Sequence, residues 1–203
     1  LLGEYEVLAV TSDSPYQTLE AFAAAWKEDP GAFAIAGGSA GGTDHMLTGL
    51  LALEVGIDPT AINYLPHSGG GESMASILGG HVAAGINGYA ELIPFIEAGR
   101  LTPLGISSDE PIPGIDIPTF REQGMDVALA NWRGVSAPPG ITDEERASLV
   151  ALLDQMHASE EWSVALEVNN WIDLYLTGAD YGAFLDAEDG RTTAVLESIG
   201  LLN

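Results

Sequence analysis

The chain has 203 residues, 46% of them hydrophobic, which is enough to bury a core in one large domain or two small ones. Six basic residues against 30 acidic ones give a formal net charge of −24, and no Lys/Arg cluster is present, so nucleic acid is excluded as a partner. There is no cysteine, hence no disulfide, thiolate metal site or cysteine nucleophile. Tyr5 to Val10 reads as a strand, and Thr18 to Glu28 as a helix with Leu19, Phe22, Ala23 and Trp26 on one side. The strand Phe33–Ala36 then leads through Gly37-Gly38-Ser39-Ala40-Gly41-Gly42 to a helix opening near Thr43. Met46, Leu50 and Leu53, flanked by Leu47 and Leu51, mark its expected buried face. Ala61–Leu65 leads through His67-Ser68-Gly69-Gly70-Gly71 to a short helix ending near Gly79-Gly80. Val82–Ile86 leads through Asn87-Gly88 to a helix over Glu91–Ala98, and Leu101–Ser107 is a last strand. Such alternation predicts a mainly parallel sheet with helices on its faces, and ligands in such sheets sit beyond the carboxyl ends of the strands.

Asp109 to Gly114 is turn and linker chemistry, and a second unit is expected from there. Val127–Ser136 is strand-like and contains Trp132-Arg133. Thr142-Asp143-Glu144-Glu145 is a capping box that opens a helix with Leu149, Leu152, Leu153 and Met156 at helical spacing. A helix from Glu160, a strand over Trp171–Leu176 and a helix over Tyr181–Ser198 follow. Trp26, Trp162 and Trp171 are expected in the core.

Four glycines within Gly37–Gly42 allow positive φ and close backbone approach, and the helix behind them adds the positive end of its dipole. Together they make an anion site. The same residues spell G-x-S-x-G, which would make Ser39 a nucleophile on an elbow. That alternative is weak, because Gly42-Thr43 delays the helix and the glycine run that would supply an oxyanion hole lies downstream. Its acid and base would have to be Asp116 and His157, the latter in the middle of a helix. A zinc site from His45, His67 and His81 lacks the i, i+4 spacing of a helix-borne ligand pair. No metal and no cofactor are expected.

Taken in order, Ser39-Ala40-Gly41 with His45, Pro66-His67-Ser68-Gly69, Ile77-Leu78-Gly79-Gly80, Asp116-Ile117-Pro118-Thr119 with Glu122 and Gly124, and Trp132-Arg133-Gly134 with Ala137-Pro138 resemble the substrate-binding receptors of tripartite tricarboxylate transporters, also called Bug receptors. The resemblance implies an α/β fold of the type II periplasmic binding protein kind, with two lobes, of which this chain lacks the N-terminal part of the first. It assigns residues 1–9 to a crossover strand from the missing part, 10–108 to a complete second lobe, and 109–203 to the returning part of the first. It further implies a non-enzymatic extracytoplasmic receptor that captures a di- or tricarboxylate, partners the transporter's membrane subunits, and leaves room for a membrane anchor on a missing N-terminus. Carried over by motif, the ligand residues are Ser39, Ala40, Gly41, Gly42 and Thr43; His67, Ser68, Gly69 and Gly70; and Asn87, Gly88 and Tyr89. His67-Ser68 departs from the family's common Tyr-Lys, and Asn87 from its common aspartate. The alternatives are a serine hydrolase built on Ser39 and an anion-binding sensor domain of another system.

Overall fold

A computed structural model of the chain describes residues 1–202. It divides into two compact units, one formed by Tyr5–Asn131 with the residues from Thr192 on, the other by Leu1–Glu4 with Trp132–Arg191. The first contains strands β1 (Leu2–Thr11, from Tyr5), β2 (Ala34–Gly37), β3 (Asn63–Pro66), β4 (Ala84–Gly88) and β5 (Leu101–Ile106) in the order β3-β2-β4-β1-β5. Helices α1 (Leu19–Glu28), α2 (Thr43–Glu54), α3 (Gly70–Leu78) and α4 (Tyr89–Glu97) connect them.

The pairings β2–β3 and β2–β4 are parallel, whereas β1 is antiparallel to both β4 and β5. Four strands therefore point one way and β1 runs against them, which corrects the mainly parallel pairing expected from the β-then-α order. Chain order gives the direction of consecutive strands, but the insertion of β1 between β4 and β5 is a long-range choice that no local pattern encodes. The carboxyl ends of β3, β2 and β4 still share one edge.

Strand periodicity divides the core. Leu8 and Val10 of β1 join Phe22, Trp26, Ile35, Leu47, Leu51 and Phe120 in one cluster, while Val7 and Ala9 join Ala36, Met74, Ile77, Leu92 and Ile106 in the other. Successive side chains of β1 thus enter opposite layers, with α1 and α2 over one face and α3 and α4 over the other. In α2 the buried stripe runs through Leu47, Thr48, Gly49, Leu51 and Ala52, and Leu53 is 42% exposed. The stripe is rotated from the expected one because Gly49 faces inward against Ile199, whose side chain leaves no room for a Cβ at that position.

In the other unit, β7 (Ile172–Asp173) pairs with the start of β1, and helices α5 (Asp143–His157), α6 (Glu160–Asn169) and most of α7 (Gly178–Ser198) follow β6 (Ala130–Arg133). The Thr142–Glu145 capping box is present in full. The Trp132 indole donates to Glu188 at 2.9 Å, and Arg133 pairs with Glu4 at 3.7 Å. The His157 ring bonds Asp173 at 2.8 Å and stacks on Tyr175 at 4.1 Å. Burial and a hydrogen bond to Asp154 push the Tyr175 phenol up to about 12. None of the residues of α5 and α6 is buried, with Leu152 61% and Val168 73% exposed. Trp162 and Trp171 are half-buried, so of the three tryptophans expected in the core only Trp26 is there. Apolar spacing shows which face of a helix can be buried but not what covers it.

Candidate functional site

The site expected from the sequence lies wholly within the five-stranded unit. Gly37 of β2 is in register with Pro66 of β3, and Ala36 with Gly85 of β4, so the three strands deliver α2, α3 and α4 from one edge of the sheet. The connection after β2 leads to β3 on one side, while β3 returns to β4 on the other. That reversal is the topological switch point where open α/β sheets place ligands.

All three helices begin on glycine, with N-caps Gly42, Gly69 and Gly88, and none has a side-chain cap. Helices α1, α5 and α6 instead begin on Thr18, Thr142 and Ser159, each of which accepts from a first-turn amide. Among the described residues, no protein acceptor meets the amides of Ser39, Ala40 and Thr43 at α2, or Gly70 and Gly71 at α3. Ser39 and Ala40 are exposed. Open amides at a helix start, together with the dipole, attract anions with roughly 0.3–1 kcal/mol each at exposed positions and up to about 2 kcal/mol when partly buried.

The turn itself is held by side chains from α2 and β3. Gly38 donates its amide to Asp44 Oδ2 at 2.6 Å, and Gly41 donates to His45 Nδ1 at 3.1 Å. Asp44 therefore turns back to close the turn from β2. Gly41 has φ +77°, the left-handed region that disfavours side chains. The His45 ring lies flat on Tyr64 at 4.2 Å, and burial holds its pKa below the ordinary value. Because Nδ1 accepts, the neutral ring carries its proton on Nε2. The Tyr64 hydroxyl donates to Gly38 O at 2.9 Å, and burial, then the carboxylates of Asp44 and Glu6, raise its pKa far out of the physiological range.

His67 ties the second loop to the first. Its amide donates to Gly37 O at 3.0 Å, its Nδ1 faces the same carbonyl at 3.3 Å and its Nε2 faces Ser76 Oγ at 2.7 Å. A carbonyl only accepts, so Nδ1 carries a proton. The exposed Ser68 donates its amide to Glu72 at 3.1 Å. Asn87 is 2% exposed and engaged at both ends: it accepts from Ser73 Oγ at 3.0 Å and donates to Glu91 Oε2 at 3.0 Å. Its side chain links α3 to α4. Gly88 is buried in β4 and Tyr89 is half-buried.

Three residues that sequence reasoning passed over also belong here. Thr43 Oγ1 donates to Asn131, and Asn131 donates to Glu6 Oε1 at 2.9 Å; Glu6 is 1% exposed and paired in register with Gly88. A carboxylate inside the apolar run Tyr5–Val10 was the one available signal. The third, Glu91, reaches from α4 to the start of α3. Ser39 has no histidine or carboxylate hydrogen-bonded to its hydroxyl among the described residues, and His45, His67 and His81 form no metal-binding group there.

Residues 1–201 match the family TctC, described as tripartite tricarboxylate transporter family receptor. The chain belongs to that family. TctC proteins are binding receptors rather than enzymes, so the G-x-S-x-G of this chain is not a nucleophile elbow. The chain is similar to protein BugT of Bordetella pertussis, with 34% identity over 163 residues, 79% of this chain and 48% of BugT. It is also similar in structure to a TctC solute-binding protein from Polaromonas, with 26% identity and a TM-score of 0.75, covering 97% of this chain and 67% of that one. A protein of R. palustris solved with adipate shares the fold, with a TM-score of 0.86 at 23% identity, over 98% of this chain and 67% of that one. The chain thus spans about half the length of the curated relatives it matches, 48% and 58%, and is a partial form of the TctC fold. No described helix is long and apolar enough to cross a membrane.

Proposed function

We propose that this chain is part of an extracytoplasmic solute receptor that captures a small di- or tricarboxylate and presents it to the membrane subunits of a tripartite tricarboxylate-type transporter. The observation that carries this reading is the set of three neighbouring helix starts, each capped by glycine without a side-chain cap, at the switch point of the sheet. Ser39 to Thr43 would take one carboxylate through the amides of Ser39, Ala40 and Thr43. The remainder of the ligand would face His67 to Gly70 and the start of α4 at Gly88-Tyr89, directly or through water. Asn87 would act by fixing α3 against α4.

Backbone has to do most of the binding, because the arginines of this unit are engaged elsewhere. Arg121 pairs with Asp109 and Asp126, the Arg100 guanidinium lies over Phe95, and the Lys27 ammonium lies beside Gly56. The adipate bound to the R. palustris relative supports a dicarboxylate among the candidates. The test is thermal unfolding of the intact receptor against a series of mono-, di- and tricarboxylates. A true ligand at 100 times its dissociation constant adds about 2.7 kcal/mol of stability. If no member of the series raises the midpoint at millimolar concentration, the carboxylate reading is wrong.

A further inference from the structure

The turn between β2 and α2 can close in two ways, and one imidazole nitrogen selects between them. Gly42 donates its amide to Ser39 O at 3.0 Å, which closes a four-residue turn over Ser39, Ala40, Gly41 and Gly42. Gly41, the third residue of that turn, has φ +77°, and Ala40, the second, is not among the residues of positive φ. That combination is a type II turn. A type I turn keeps the same Ser39–Gly42 bond and differs by a rotation of the Ala40–Gly41 peptide plane through about half a circle. Glycine adopts either sign of φ with similar ease, so the backbone of Gly41 admits both.

His45 fixes the plane. The Gly41 amide donates to His45 Nδ1 at 3.1 Å, and in the rotated plane the Ala40 carbonyl would be turned toward that nitrogen instead. The imidazole is held in place, because it lies flat on Tyr64 with the ring planes 1° apart, and the Tyr64 hydroxyl donates to Gly38 O at 2.9 Å. Ser39 and Ala40 are exposed, and among the described residues no donor meets the Ala40 carbonyl. The atom nearest to a Cβ on Gly41 is Leu201 Cδ1 at 4.0 Å, so the peptide has room to turn.

We propose that His45 is a pH switch of this turn: protonation of its Nδ1 flips the Ala40–Gly41 peptide and exchanges the type II turn for type I. The neutral nitrogen accepts and calls for the Gly41 N–H, whereas the imidazolium donates and calls for a carbonyl. With the turn unchanged, donor would face donor; after the flip, the Ala40 carbonyl receives a charge-assisted hydrogen bond. One proton passes from solvent to Nδ1, and no covalent bond of the backbone changes. The titratable groups around the ring are Asp44, held on the Gly38 amide at 2.6 Å, Tyr64 beneath the ring, and Glu6, whose charge acts on Tyr64. Burial lowers the proton affinity of the ring, so the switch operates on the acid side of about pH 6.5. It does not depend on any ligand.

The experiment is NMR of the intact receptor without ligand at pH 7.5 and at steps down to pH 5.0. Long-range proton–nitrogen correlations of the imidazoles report the tautomer and titration of His45, and proton–proton contacts report the turn. At pH 7.5 the contact between Ala40 Hα and the Gly41 amide should be strong, as ψ near about +120° at Ala40 requires. As the ring titrates, that contact should give way, with the same midpoint, to one between the amides of Ala40 and Gly41, as ψ near about −30° requires. His45→Phe keeps a ring on Tyr64, His45→Gln keeps an oxygen that can accept from Gly41, and neither titrates, so in both variants the contacts should be the same at every pH. A native ring protonated with the type II contact retained overturns the proposal, as does a neutral ring carrying its proton on Nδ1, or one that stays neutral down to pH 5.0. A change of turn with pH in both variants overturns it equally.

Discussion

Replacing Gly41 by alanine separates conformation from contact at the centre of the proposed site. Gly41 adopts φ +77°, and the nearest atom to an added Cβ is Leu201 Cδ1 at 4.0 Å, an ordinary van der Waals distance. The substitution therefore brings no clash, and its whole cost is that of placing a side chain in the left-handed region, about 1–2 kcal/mol. For a chain of this size each kilocalorie lowers the melting midpoint by about 2–4 °C, so Gly41→Ala should melt about 2–8 °C below the parent. Asparagine tolerates the left-handed region better than alanine does, and Gly41→Asn should recover part of the loss. Differential scanning calorimetry of the three proteins decides the matter. Equal midpoints for parent and Gly41→Ala, or a Gly41→Asn variant less stable than Gly41→Ala, would refute the conformational account. On the reading proposed above, the variants report on carboxylate affinity as well, because Gly41 lies in the turn that carries the amides of Ser39, Ala40 and Thr43.

Two further outcomes follow from the side chains that brace this turn. Tyr64→Phe removes the hydroxyl that donates to Gly38 O, but that carbonyl also accepts from the His67 amide at 3.3 Å and is not orphaned. The loss should be about 0.5–1.5 kcal/mol in urea unfolding, and a loss above about 3 kcal/mol would mean the hydroxyl has a role beyond this bond. His45 titrates below its ordinary value of about 6.5 in the folded chain, so on acidification the unfolded chain takes the proton first. Its contribution is complete above about pH 6.5 and is lost as the pH falls from there through the folded-state value. Urea unfolding at pH 7.5 and 5.5 should show a steeper acid loss in the parent than in His45→Gln, and parallel losses would show that the ring titrates normally.

The elements around the site were legible because their signals are local. Strand and helix alternate in the apolar pattern from Tyr5 to Ile106, and the Thr142–Glu145 box announces the start of α5. The glycine loops also fall where sequence places them, between β2 and α2 and between β3 and α3. What escaped depends on partners distant in sequence. The position of β1 between β4 and β5, the inward turn of α2 at Gly49, and the half-burial of Trp162 and Trp171 are all set by what lies across from them. Among the site's carboxylates, Asp44 was visible as an awkward residue in a helix start, yet its bond to Gly38 needed coordinates. Glu91 gave no signal at all, since one more acidic residue in a chain with 30 is unremarkable until its side chain is seen against Gly70.

The capping pattern also shows why glycine, and not merely an absence of serine, stands at three helix starts. A Ser, Thr, Asn or Asp cap stabilises a helix by about 1 kcal/mol relative to alanine, whereas glycine gives up only a few tenths relative to those residues. Glycine at Gly42, Gly69 and Gly88 therefore costs on the order of 1 kcal/mol in total, and it leaves all three helix starts without a side-chain cap. A threonine at any of them would stabilise the empty protein slightly and place its own oxygen where, on the reading proposed here, a carboxylate oxygen binds. A ligand at 100 times its dissociation constant returns about 2.7 kcal/mol, more than the three caps forgo. Chains of this family that bind through these amides should therefore be expected to melt lower when empty and higher when loaded than variants carrying serine at the same three positions.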